Sequence, residues 1–143
     1  MIVILAALVP GSGRGAQGNV PPQRPPASEK DARTPAQQKI NSQLLYEIYR
    51  RRGEAVKKGV PPGETGVKID KKGRALVDVR VEVTPAIERA VREAGGTIVS
   101  TSPPYHSVIA WIPLLKLETL AENPAVRAIE PTAEAMTNPK KQS

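Results

Sequence analysis

Between Val77 and Val83 four valines alternate with Asp78, Arg80 and Glu82. A period of two residues fits an extended strand with one buried and one polar face, and little else. Thr84-Pro85 follows, a capping residue and then a proline whose fixed φ suits the first helical position. Ile87, Ala90, Val91 and Ala94 then recur at helical spacing until Gly95-Gly96 stops the helix. Thr97 to Ser102 and Ser107 to Ile112 are rich in β-formers, and Pro103-Pro104-Tyr105-His106 between them suits a hairpin connection. Pro113 is expected to open a second short helix carrying Leu114, Leu117, Leu120 and Ala121 on one side. Asn123-Pro124 closes it, and Val126 to Glu130 supplies a fourth strand. The order β-α-β-β-α-β over residues 73–138 predicts an α+β, ferredoxin-like sandwich, a four-stranded antiparallel sheet with two helices on one face.

Such a sheet leaves its other face open. Leu76, Asp78, Arg80 and Glu82 of the first strand belong to that face by alternation. On the third strand, Ile109 and Trp111 join them if Val108, Ala110 and Ile112 meet the helices; a slip of one residue would instead bury Trp111 in the core.

The flanks have a different composition. Residues 1–16 hold the apolar run Ile2-Val3-Ile4-Leu5-Ala6-Ala7-Leu8-Val9 followed by small residues, which reads as a signal-like segment without a basic start. The expected location is secreted or periplasmic, with a cytoplasmic one as the alternative, and the run is too short for a transmembrane anchor. Residues 17–38 are poor in large apolar side chains and read as a Pro/Gly-rich linker. Residues 39–58 read as a basic amphipathic helix: Ile40, Leu44, Leu45 and Ile48 form its stripe, Arg50-Arg51-Arg52 and Lys57-Lys58 its charge, and Val56 or Lys58 its end. The favoured role is a solvated helix resting its leucines on a neighbour; docking on an acidic protein surface or a membrane is the alternative. Residues 59–72 are a loop and 139–143 a tail.

A net charge of +7 suggests an anionic partner, but its position argues otherwise. Residues 73–138 hold six basic and eight acidic residues, a net −2, so the excess lies in the flanks. Nucleic acid is therefore an unfavoured partner.

The sequence also argues against catalysis. With one histidine and no cysteine there is no side-chain set for a metal cluster or a thiolate site. His106, between two prolines and a strand, reads as an exposed loop residue, and Ser100, Ser102 and Ser107 lack the context of an activated nucleophile. The expectation is a non-enzymatic domain with no cofactor and no metal.

Several stretches carry a likeness: Gln43-Leu44-Leu45-Tyr46-Glu47-Ile48-Tyr49-Arg50-Arg51-Arg52, Val77-Asp78-Val79, Gly95-Gly96-Thr97-Ile98-Val99-Ser100, Ile112-Pro113-Leu114 and Leu117-Glu118-Thr119-Leu120-Ala121. Over residues 39–138 the chain resembles the region that precedes the catalytic domain in bacterial subtilisin-like serine peptidases. The resemblance implies a prosegment-like module of ferredoxin-like fold whose open sheet face packs on the peptidase. It further implies that the segment after the last strand lies extended in the substrate cleft, so that the module acts as folding chaperone and inhibitor. Carried over by position, Arg80, Ile109 and Trp111 would be face contacts, and Pro131, Thr132, Ala133, Glu134, Ala135, Met136, Thr137 and Asn138 the cleft-binding tail. After Asn138 comes Pro139-Lys140-Lys141-Gln142-Ser143, so the expectation is either a truncated remnant of such a peptidase or a free-standing module acting on one in trans. Two other classes stay open: a stand-alone ligand- or protein-binding domain, and an anion-binding protein using the basic helix on nucleic acid or acidic lipid.

Overall fold

The computed structural model of the chain describes residues 28–132. The signal-like segment, residues 17–27 of the linker and the tail from residue 133 onward lie outside the described residues. The elements are α1 (Pro35–Gln38), α2 (Ser42–Arg51), β1 (Arg74–Val81), α3 (Pro85–Glu93), β2 (Thr97–Ser102), β3 (Ser107–Pro113), α4 (Leu117–Ala121) and β4 (Val126–Pro131). The strands form an antiparallel four-stranded sheet in the order β2-β3-β1-β4. The fold is α+β.

The valine alternation governs the sheet. Ala75, Val77, Val79 and Val81 are fully buried, and they share one cluster with Val108, Ala110 and Ile112 of β3, Ile87 and Val91 of α3, and Leu117 and Leu120 of α4. The strand begins and ends earlier than the alternation suggests, so Glu82 and Val83 fall beyond it rather than on a sheet face. The reason is local: the Val81 amide donates to the His106 carbonyl at 2.9 Å, and the chain then turns into the Thr84 cap, whose hydroxyl accepts from the Ile87 amide. Pro113 likewise ends β3, opposite Arg74, instead of opening a helix. The Leu114 amide bonds the Gly73 carbonyl at 3.0 Å, prolonging the ladder by one bond, and a 3₁₀ turn at Leu114–Lys116 precedes α4.

α2 differs more from expectation. It stops at Arg51, because Gly53 takes a left-handed φ of +75° and the Glu54 amide reaches back to the Tyr49 carbonyl at 2.8 Å, a closure only a flexible residue accepts easily. Its leucine stripe does rest on a neighbour, and that neighbour is the core itself, while Gln43 and Arg51 stay exposed. Leu44, Leu45, Ile48 and Tyr49 are buried in the same cluster as the valines of β1, together with Ile40 just before the helix. Loop 59–72 contributes as well: the Leu76 amide donates to the Lys68 carbonyl at 3.2 Å and the Asp70 amide to the Arg74 carbonyl at 2.9 Å, extending the sheet beside the start of β1.

Residues 28–38, read as linker, are built into the fold by polar contacts where apolar burial is scarce. Thr34 and Gln37 close a reciprocal capping box at α1. Arg33 grips Glu29 through two bonds of 2.6 and 2.7 Å, and the Tyr49 hydroxyl donates to the same carboxylate at 3.0 Å. On α4, Glu118 accepts from Gln37 at 2.6 Å and from Arg52 at 2.7 Å. The phenol of Tyr49 is pushed up to about 12, by burial first and then by its bond to Glu29.

These contacts make stability depend on acid. The Arg33 guanidinium holds the Glu29 carboxyl below its ordinary 4.5; for Glu118, burial pushes upward, but the bonds from Arg52 and Gln37 outweigh it and the net shift is also downward. A carboxyl with a lowered folded pKa contributes stability above its unfolded value and loses it as the pH falls through the folded one. The melting temperature is expected to hold near neutrality and to drop below pH 4.5, and a Glu29→Gln/Glu118→Gln variant, already destabilised at neutral pH, should show a shallower acid decline in a calorimetric pH series.

Gly96 offers a second test. A Cβ there would lie 2.8 Å from the Val91 carbonyl oxygen and 2.9 Å from Val91 Cγ1, where α3 meets the sheet. Gly96→Ala is expected to cost about 1–3 kcal/mol through forced separation of helix and strand, read as a lower denaturation midpoint with an unchanged slope.

The open sheet face as candidate protein-binding site

Residues directly opposite each other in an antiparallel ladder share a face, so register fixes which side chains meet. Three rows cross the face turned away from the helices. Thr97, Trp111 and Leu76 form the first, Ser100, Ile109, Asp78 and Glu130 the second, and Ser102, Ser107, Arg80 and Ala128 the third. Register thus decides the alternative left open by the sequence. Val108, Ala110 and Ile112 are fully buried under the helices, while Ile109 and Trp111 lie half-buried on the other face.

Trp111 and Ile109 surround an apolar corner whose floor is Leu76, only 3% exposed although it belongs to no helix-side cluster. Leu76 is held there by two backbone bonds on the β4 edge of β1, its amide donating to the Lys68 carbonyl and its carbonyl accepting from the Thr132 amide at 3.3 Å. The chain therefore leaves β4 beside this corner.

The middle of the face is polar. Asp78 accepts from the Ser107 hydroxyl at 2.6 Å and pairs with Arg80 at 3.4 Å, and Arg80 also reaches the Tyr105 carbonyl at 3.5 Å. Ser107 is thereby satisfied in a buried position, and the hairpin is tied to β1. Asp78 also faces Glu130 across the β1–β4 pair, and like charges directly opposite repel. Glu130 is exposed.

Of the residues expected to bind a partner, Arg80, Ile109 and Trp111 come together on this face. Pro131 stands opposite Val77, on the helix side, while Thr132 lies next to Leu76. Ala133, Glu134, Ala135, Met136, Thr137 and Asn138 lie outside the described residues. Sequence reasoning missed Glu130 as a face residue, because a register shift in β4 between its pairings with Arg80 and Val81 breaks the simple alternation.

Other candidates are occupied or shallow. Arg50 pairs with Glu47 at 3.2 Å and bonds the Pro61 carbonyl at 2.9 Å, Arg52 is engaged by Glu118, and Arg51 packs on Gly73. Arg50 and Arg52 are thus committed within the domain, while Arg51 stays exposed. An open cleft of about 410 Å³ between α1 and α4 is walled by Lys39 and Glu118, both already bonded inside the chain. His106 is exposed at the hairpin with a left-handed φ of 53°. Among the described residues no group of three or more His, Cys, Asp or Glu could hold a metal ion, and no helix is long and apolar enough to cross a membrane.

Comparison of the chain with models of known protein families, with curated proteins and with solved structures finds no match.

Proposed function

We propose that this protein is a non-catalytic binding module of ferredoxin-like topology that docks the open face of its sheet on a subtilisin-like serine peptidase, as inhibitor or folding chaperone. The observation that carries the reading is the apolar corner in which Ile109 and Trp111, both half-buried, stand beside the buried Leu76 on the face turned away from the helices, and beside which the chain leaves β4 at Thr132. A partner seated there would remove the ring of Trp111 from water, and a large aromatic at the centre of a contact contributes disproportionately to affinity. The segment after Thr132 starts at the margin of the same contact, where an extended tail adds to an enzyme cleft by main-chain bonds. The carboxylates of Asp78 and Glu130 favour a partner that offers positive charge or free backbone amides to that row.

An anion-binding role has less support, since Arg50 and Arg52 are spent on internal partners.

The test is a titration of the full chain into a subtilisin-like peptidase, following hydrolysis of a small peptide substrate. Inhibition should weaken by roughly thirtyfold or more with Trp111→Ala, the scale of a binding hot spot. It should be lost when the chain is ended at Thr132, and should be unchanged when the exposed Lys57 and Lys71 are reversed in charge. Inhibition absent against a panel of such peptidases, or indifferent to Trp111, would remove the proposal.

A further inference from the structure

The two edges of the sheet are treated differently. Along β4 the Ile129 amide donates to the Lys39 carbonyl at 2.8 Å and the Asn41 amide donates to the Ile129 carbonyl at 2.9 Å, so a segment of the chain itself closes that edge. β2, at the other end of the order β2-β3-β1-β4, has β3 on one side and no described strand on the other. Alternate residues of an edge strand turn both their amide and their carbonyl outward, ready to bond another strand.

Edge strands are ordinarily guarded by charges of their own, and β2 has none; Arg74 of β1 reaches its first residue, donating to the Thr97 hydroxyl at 3.1 Å. From Gly95 to Ser107 no Lys, Arg, Asp or Glu occurs, in a chain of which 24% is charged. Thr97-Ile98-Val99-Ser100-Thr101-Ser102 is built of β-branched and small residues, mostly exposed, and Val99 is 57% exposed.

We infer that β2 is a self-association edge, pairing antiparallel with β2 of a second copy to join two sheets into one. Two observations favour a second copy over another strand donor. The strip from Gly95 to Ser107 holds no charged residue, so two copies meeting there oppose no like charges of that strip, whereas the rest of the chain carries charges of both signs. A strand of this composition is its own complement: full antiparallel overlap sets Thr97 against Ser102, Ile98 against Thr101 and Val99 against Ser100 of the copy, pairs of hydroxyl and β-branched side chains. That overlap places the two-fold axis between Val99 and Ser100, where the exposed valines of both copies approach each other across the diagonal. The register shift between Ile98 and Ser100 leaves Val99 as the extra residue of β2. A bulge interrupts the edge and shortens the usable ladder, so the dimer is weak, and it turns a side chain outward at the axis.

Sedimentation of the full chain from about 10 µM to about 1 mM should show the average mass rising from one chain towards two, as for a dissociation constant within that range. Val99→Lys alters an exposed side chain and should leave the unfolding transition in place while weakening association at least tenfold. Mixing Val99→Lys with Val99→Glu should restore association as a mixed dimer, because residue 99 of each copy lies near the axis. A wild-type chain that stays monomeric throughout, or association that is indifferent to Val99→Lys, would overturn the inference. Neither result bears on peptidase binding, which uses the sheet face and not its edge.

Discussion

The structure depends on β1 being bonded on both sides. β3 accompanies it from Arg74 to Arg80, β4 covers Val77 to Val81, and the turn around Lys68 to Asp70 fills the place beside its start that β4 does not reach. A strand so enclosed must present one face to each side of the sheet along its whole length. Its buried column of Ala75, Val77, Val79 and Val81 becomes the floor on which three helices pack. Its other column, Leu76, Asp78 and Arg80, divides the open face into an apolar corner and a charged centre. Core and candidate site are two consequences of one alternation.

α2 explains how so short a sheet is covered. α3 and α4 alone run nine and five residues, and the leucines of α2 together with Tyr49 complete the layer. Apolar burial of this kind supplies the main driving force. The surrounding polar bonds, from Glu29 through Arg33 and Tyr49 and from Arg52 to Glu118, fix how α2 and the preceding segment sit on it. The basic character of the helix, conspicuous in the sequence, is largely absorbed in that anchoring. Charge that looks available to a ligand in one dimension is committed to neighbours in three.

Much of the fold was legible because short-range periodicity carried it. The alternating valines, the Thr84-Pro85 start, the Gly95 stop and the Pro-rich hairpin each act within a few residues, and each element lies close to its expected place. The exceptions have local causes that composition hides: the left-handed Gly53 cutting α2 short, Pro113 serving as a strand end, and the polar clamp that holds residues 28–38 with little apolar burial beyond Ala36.

The candidate site divides along the same line. Alternation alone required an amphipathic first strand and put Ile109 and Trp111 on one face, since parity along a strand is fixed by its pleat. Which face that was depended on the packing of the whole sheet. The choice rests on pairing between segments distant in the chain: Leu76 opposite Trp111, Asp78 opposite both Ile109 and Glu130, and a shifted register in β4. A one-residue slip reverses every side chain of a strand, and what prevents it is the burial of Val108, Ala110 and Ile112 against helices contributed from both sides of β1 in the sequence.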